Sequence, residues 1–130
     1  MKEEFLHYIW KYGLYTQDSL VTACGLVVEV VRPGLYNIDT GPDFQDARIK
    51  IGDSVWVGHV EIHLKSSDWH SHGHQFDKAY NQVVLHVVRT NDREIHTQSG
   101  ALIPTIRLVF NENYYHNFQK MVKQIAPIPC

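Results

Sequence analysis

The chain has 130 residues, with 12 basic and 14 acidic side chains and a formal net charge of −2. This balance exerts no global pull on polyanions or anionic membranes, so a nucleic-acid partner would have to be met by a local patch. A 44% hydrophobic, 20% charged composition excludes a disordered chain. At this length a single domain over residues 1–130 buries about two-thirds of its unfolded surface.

Glu3 to about Tyr12 places Phe5, Leu6, Ile9 and Trp10 at helical spacing, with Gly13 as the stop. Leu26 to Val31 is a β-branched run ended by Arg32-Pro33-Gly34, a strand and then a turn. Residues 35–44 are rich in turn formers, Gly41-Pro42 being the strongest breaker. Ala47 to Ile51 alternates with period two, and Gly52-Asp53-Ser54 links it to a second strand, Val55 to Lys65, as a hairpin. Ser66 to His74 is polar and irregular. Phe76 to about Gln82 is expected to be a short helix with Phe76, Ala79 and Tyr80 buried. Val83 to Val88 is apolar on both faces except at His86, as in an interior strand. A further strand is expected over Leu102 to Phe110, its start demoted by Pro104. A last helix is expected over Asn111 to Gln124, with Asn111 as N-cap. The order α-β-β-β-α-β, then a strand or hairpin and a final helix, defines a mixed α/β fold with helices flanking a central sheet.

Alternation along residues 59–65 puts Val60, Ile62 and Leu64 on one face and His59, Glu61, His63 and Lys65 on the other. A solvated outer face is the ordinary explanation of such a row. Against it stand two histidines between an acid and a base, and an acidic loop upstream carrying Asp39, Asp43 and Asp46. Asp43 lies nine to ten positions before the Gly52-Asp53 turn and Glu61 eight to nine after it, so hairpin pairing brings Asp43 toward residues 61–65. Two carboxylates so placed would hold Mg²⁺ or Mn²⁺, with Lys65 orienting a water or stabilising charge on a phosphoryl oxygen. Nine histidines are the unusual count in this composition. Five side chains follow the strand at once: Asp68, His70, His72, His74 and Asp77. They are either a solvated loop or an extension of the same site, with zinc as the alternative metal.

Gly41-Pro42-Asp43, the hairpin, and Val60-Glu61-Ile62-His63-Leu64-Lys65 resemble the PD-(D/E)XK phosphodiesterase superfamily over roughly residues 3–90. The resemblance implies a restriction-endonuclease-like core, metal-dependent cleavage of nucleic acid, and Asp43 and Glu61 as metal carboxylates. His63 stands where that pattern has lysine, so either Lys65 or His63 takes the lysine's part, or the site is degenerate. Gln75 and Tyr80 are near a glutamine–tyrosine pair of some superfamily nucleases, but five apart instead of four. The string GPDF…VEIHLKSSDW…HGHQ also resembles an uncharacterised family of bacterial proteins whose members are usually longer, so the chain reads as the N-terminal part of a longer one.

The remaining candidates are Asp46 and His59 as second-shell groups or additional ligands, Arg48, Lys50 and Lys78 as backbone contacts, and Trp56 and Trp69 as packing or base-stacking rings. His86 reads as a hydrogen-bonded core histidine. Cys24 and Cys130 lack the spacing of a disulfide framework or zinc ribbon and suit a reducing compartment. With no apolar run of about 18 residues, the expectation is a cytoplasmic protein with no membrane partner. The rival function is a non-catalytic metal-binding or protein-interaction module on the same fold.

Overall fold

The computed structural model describes residues 1–125; the Ala-Pro-Ile-Pro-Cys segment, with Cys130, lies outside them. Helix α1 (Glu3–Tyr12) buries Phe5, Leu6, Ile9 and Trp10, the apolar stripe of its 3.6-residue period. It ends at Gly13, whose left-handed φ of 64° lets its N–H return to the last turn. Trp10 Nε1 donates to Pro33 O at 3.0 Å, tying the helix to the turn between β1 (Val28–Arg32) and the two-residue β2 (Leu35–Tyr36).

Strands β3 (Phe44–Ile51) and β4 (Ser54–Lys65) form the expected hairpin, with Ile51 opposite Ser54 across Gly52-Asp53. Gly52 has a φ of 59°, a conformation that tight hairpin turns need and glycine adopts without steric cost. After β4 come the single-turn helix α2 (Asp68–Ser71), two 3₁₀ turns, β5 (Val83–Thr90), β6 (Thr105–Arg107) and α3 (Asn113–Ile125). The sheet runs β1-β3-β4-β5-β6, with β2 also paired to β3. The β1, β3 and β4 pairings are antiparallel, and β4-β5 and β5-β6 are parallel. The fold is thus a mixed α/β domain built on a six-stranded mixed sheet.

The sheet's two faces carry different clusters. Val60 and Ile62 join the α1 stripe, Phe44, Ile49, Leu85, Val87, Ile106 and Phe110 in the main core, against which Tyr114, Tyr115 and Phe118 of α3 pack. Alternation turns Glu61 and His63 the other way. Over that face Trp69, Tyr80, Val83, Ile95 and Ile103 form a smaller cluster.

Two expectations are revised, and the start of a third element moves by two residues while its Asn111 cap holds. Residues 76–82 form no α-helix. The segment makes two 3₁₀ turns, His74–Phe76 and Lys78–Tyr80, and Phe76 is 81% exposed. The strand expected over 102–110 shrinks to Thr105–Arg107, flanked by single bridges at Leu102 and Phe110, because Pro104 has no N–H to extend the ladder. The final helix begins at Asn113, with Asn111 Oδ1 accepting from the Asn113 N–H at 2.9 Å. Among the described residues, no helix is long and apolar enough to cross a membrane.

Candidate functional site

The site grows from an irregularity in the hairpin. Between Phe44 and Ala47 the β3 strand carries one residue more than its partner β4, and Asp46 takes a φ of 57° to absorb it. Asp is among the few side chains that tolerate this region, and the bulge bends the strand's start over β4. Asp46 is exposed, and its N–H donates to His59 Nδ1 at 3.3 Å. Both residues, expected as supporting groups or ligands, therefore shape the strand pair.

The bend delivers Asp43 to the free edge of β4. Its Oδ2 accepts the Ile62 N–H at 2.8 Å, and its own N–H donates to Glu61 Oε1 at 3.1 Å. On the helix side, His7 Nε2 lies 3.4 Å from Asp43 Oδ2, and His7 Nδ1 is 3.1 Å from the Tyr36 hydroxyl. Burial raises the proton affinity of Asp43, but His7, Glu61 and the Ile62 N–H together hold its pKa below the usual carboxylate value. Glu61 goes the opposite way. Burial first, and then the charge of Asp43, push its pKa up to about 10, as when two carboxyls share one site.

Glu61 Oε2 faces the histidines. It lies 3.3 Å from His63 Nε2 and 2.8 Å from His74 Nε2. The His74 contact is off the hydrogen-bond direction, so both His74 ring nitrogens are buried without a hydrogen-bond partner. His63 Nε2 is also 3.2 Å from His72 Nδ1, and His63 Nδ1 is 2.7 Å from His86 Nε2. One donor atom from each of His63, His72 and His74 lies within 4.8 Å of the others. Burial, reinforced by neighbouring imidazoles, lowers His63 and His74 to about 4 and His86 well below its ordinary value. His63, His74 and His86 are therefore neutral at pH 7, the form that can ligate a metal.

The walls are aromatic. His74 stacks on Tyr80 with centroids 3.8 Å apart, and Trp69 meets His74 and His86 edge-on. Trp69 is fully buried, with Nε1 donating to His96 O at 3.0 Å; it is packing. The loop after β4 is held by Asp92, whose carboxylate accepts from the Ser66 and Ser67 hydroxyls at 2.8 Å each.

Several candidates fall outside the cluster. Lys65 is exposed, and only its backbone N–H is engaged, by Asp68 Oδ2 at 3.1 Å; it shares the alternation of Glu61 and His63 but lies beyond their cover. Asp68 thus braces the strand end, and Asp77 caps a 3₁₀ turn through the Ala79 N–H at 2.9 Å. His70 leaves the row of three alternate histidines for the neighbourhood of Arg93 and His96. Sequence reasoning missed His7, on the side of α1 next to its buried stripe. It had His86 as a core residue, and the lone polar side chain of that apolar strand was the signal for its place behind His63.

Fold and site together define a mixed α/β domain in which a carboxyl pair and a histidine cluster meet beneath a strand-end loop. The chain belongs to the family described as "Protein of unknown function (DUF2851)", whose model matches residues 3–130. No curated protein and no solved structure matches it.

Proposed function

We propose that this chain is a divalent-metal-dependent phosphodiesterase-type domain, of PD-(D/E)XK-like descent, acting on nucleic acid. The observation that carries the reading is the meeting of Asp43 and Glu61, from the start of β3 and the middle of β4, at 3.1 Å from N–H to carboxylate. Buried side by side, these carboxyls disfavour double ionisation, a conflict that a dication relieves and a solvated face would never create. The order α1, antiparallel β1, β3 and β4, then parallel β5 supports the same descent.

Glu61 and His63 are the residues best placed to hold the ion, with His72 and His74 completing the donor set. When bound, such an ion supplies Lewis acidity and lowers the pKa of a water to make a nucleophile. The protein's own part is orientation and shielding. The Asp43 N–H fixes Glu61 Oε1, and Tyr80 and Trp69 keep solvent from the buried side. His72 is the exposed member of the cluster. Arg48 and Lys50 are exposed on β3 and Lys78 follows the histidine loop, a sparse basic set suited to weak backbone contact.

The test is cleavage of supercoiled plasmid and of single-stranded DNA and RNA by the full chain with Mn²⁺ or Mg²⁺, compared with Glu61→Gln. Cleavage lost in the variant is the expected result; no cleavage by the wild type rejects the enzyme. One observation favours a second reading, a catalytically silent metal module. Lys65, one of the two candidates for the lysine's role, is exposed and makes no side-chain hydrogen bond or ion pair among the described residues. That reading predicts metal binding and no cleavage.

A further inference from the structure

We infer that the ion for which this pocket is built is a nitrogen-preferring transition metal, zinc first among them, held by Nε2 of His63, by His72 and His74, and by Oε2 of Glu61. The inference rests on reading the cluster as a metal centre and names its ligand class. Magnesium prefers an all-oxygen shell that keeps several waters, whereas three imidazoles and one carboxylate suit zinc and its neighbours.

Spacing supports this set. Donors about 2.0–2.1 Å from a tetrahedral ion stand about 3.3 Å from one another. The separation from His63 Nε2 to Glu61 Oε2 is 3.3 Å, and His63 Nε2 and His72 Nδ1, hydrogen-bonded at 3.2 Å, are spaced so that an ion would replace that bond. Glu61 Oε2 and His74 Nε2 are closer, at 2.8 Å, yet not directed at each other. Hydrogen-bonded partners would be aligned; donors aimed at a common third atom are not. His74 is 7% exposed, and both its nitrogens are without hydrogen bonds. Such buried orphans are rare and call for an explanation.

The surroundings already hold the ligands as a second shell does. The Asp43 N–H occupies Glu61 Oε1 and leaves Oε2 for the ion. His86 Nε2 meets His63 Nδ1 at 2.7 Å, which leaves Nε2 as the ligating nitrogen. Tyr80 fixes the plane of His74 by stacking. Gly73, with a φ of 73°, reverses the chain between His72 and His74 and brings both rings back over β4. The ligating pair is thus His72-Gly73-His74, and His70 takes no part.

The experiment is titration of chelator-treated, dialysed full-length protein with ZnCl₂ and with MgCl₂ by calorimetry, with bound metal counted by elemental analysis and Co²⁺ loading read by visible absorption. The expected result is one Zn²⁺ per chain, Mg²⁺ binding at least ~10³-fold weaker, and a Co²⁺ spectrum of tetrahedral type. His72→Ala, at an exposed position, and His74→Gln should weaken Zn²⁺ by on the order of 100-fold. His70→Ala should leave it unchanged, with circular dichroism confirming that all three fold. Unaltered Zn²⁺ affinity in both His72→Ala and His74→Gln, or Mg²⁺ bound as tightly as Zn²⁺, overturns the assignment. Zinc bound without cleavage of any substrate would sink the phosphodiesterase and leave this site standing; Mg²⁺-supported cleavage with no zinc site would do the reverse.

Discussion

Asp43 offers the sharpest separation of a structural from a chemical role. Its Oδ2 is the acceptor for the Ile62 N–H at 2.8 Å, in the middle of a buried strand. Asp43→Ala removes a charge-assisted hydrogen bond and orphans a backbone donor, at a cost of about 1.5–3 kcal/mol. For a domain of this size a kilocalorie moves the melting temperature by about 4 °C, so the expected fall is about 6–12 °C. Asp43→Asn keeps an oxygen acceptor and loses only the charge, and should fall by about half as much. The sign of the pH dependence follows from the folded pKa lying below the ordinary 3.8. The charge contributes stability above pH 3.8, and that contribution is lost as pH falls through the folded pKa. The gap between wild type and Asp43→Asn should therefore close below pH 3.8. Urea unfolding in the presence of a chelator measures all three proteins. An Asp43→Ala protein within 0.5 kcal/mol of wild type at pH 7 would refute the clamp.

Gly58 lies in β4, where an added Cβ would stand 2.5 Å from both Gln82 O and Val84 Cγ1. Gln82 O cannot retreat without releasing the His59 N–H it accepts at 2.8 Å. Gly58→Ala should cost about 2–3 kcal/mol, and an unchanged urea midpoint would contradict the packing. Lys65→Ala, at an exposed side chain, should change stability by less than about 0.5 kcal/mol and leave metal affinity unaltered; a loss of either would place its ammonium in the site after all. With the metal stripped, His63 and His74, lowered to about 4, lose their stabilising contribution as pH falls from 6.5 toward 4. Glu61, raised to about 10, loses its own as pH rises from 4.5 toward 10. Metal-free stability should thus peak near pH 6.5, where both losses are small or partial, and a profile monotonic from pH 5 to 9 would be inconsistent with these burials.

The hairpin and its consequences were readable because they obey period-two arithmetic. Gly52-Asp53 set the register, which alone carries Asp43 to within one residue of Glu61; the bulge at Asp46 supplies the last step. The α1 stripe was equally plain, since Phe5, Leu6, Ile9 and Trp10 have no other way to be buried together. Depth, in contrast, is not a property of alternation. Glu61, His63 and Lys65 share a side of the strand, but only the first two lie under the Trp69 loop, and Lys65 runs past its edge. The bulge at Asp46 inserts one residue with no compositional mark. The loop over 66–82 owes its course to Asp92, 25 residues away from Ser67, which local pattern cannot reveal. His7 was invisible for the same reason: amphipathicity tells which way a helix faces, not which carboxylate waits across from it.

His63 is the residue on which the proposed metal reading turns. At 1% exposure, a lysine there would carry a permanent ammonium into the pocket, and two ionised carboxylates beside it would leave one net negative charge for a metal to face. A neutral imidazole adds a donor without a charge. Asp43 and Glu61, both ionised, then balance a dication to zero in a buried space, where any residual charge is most costly. On the proposed metal reading, His63 serves as a ligand.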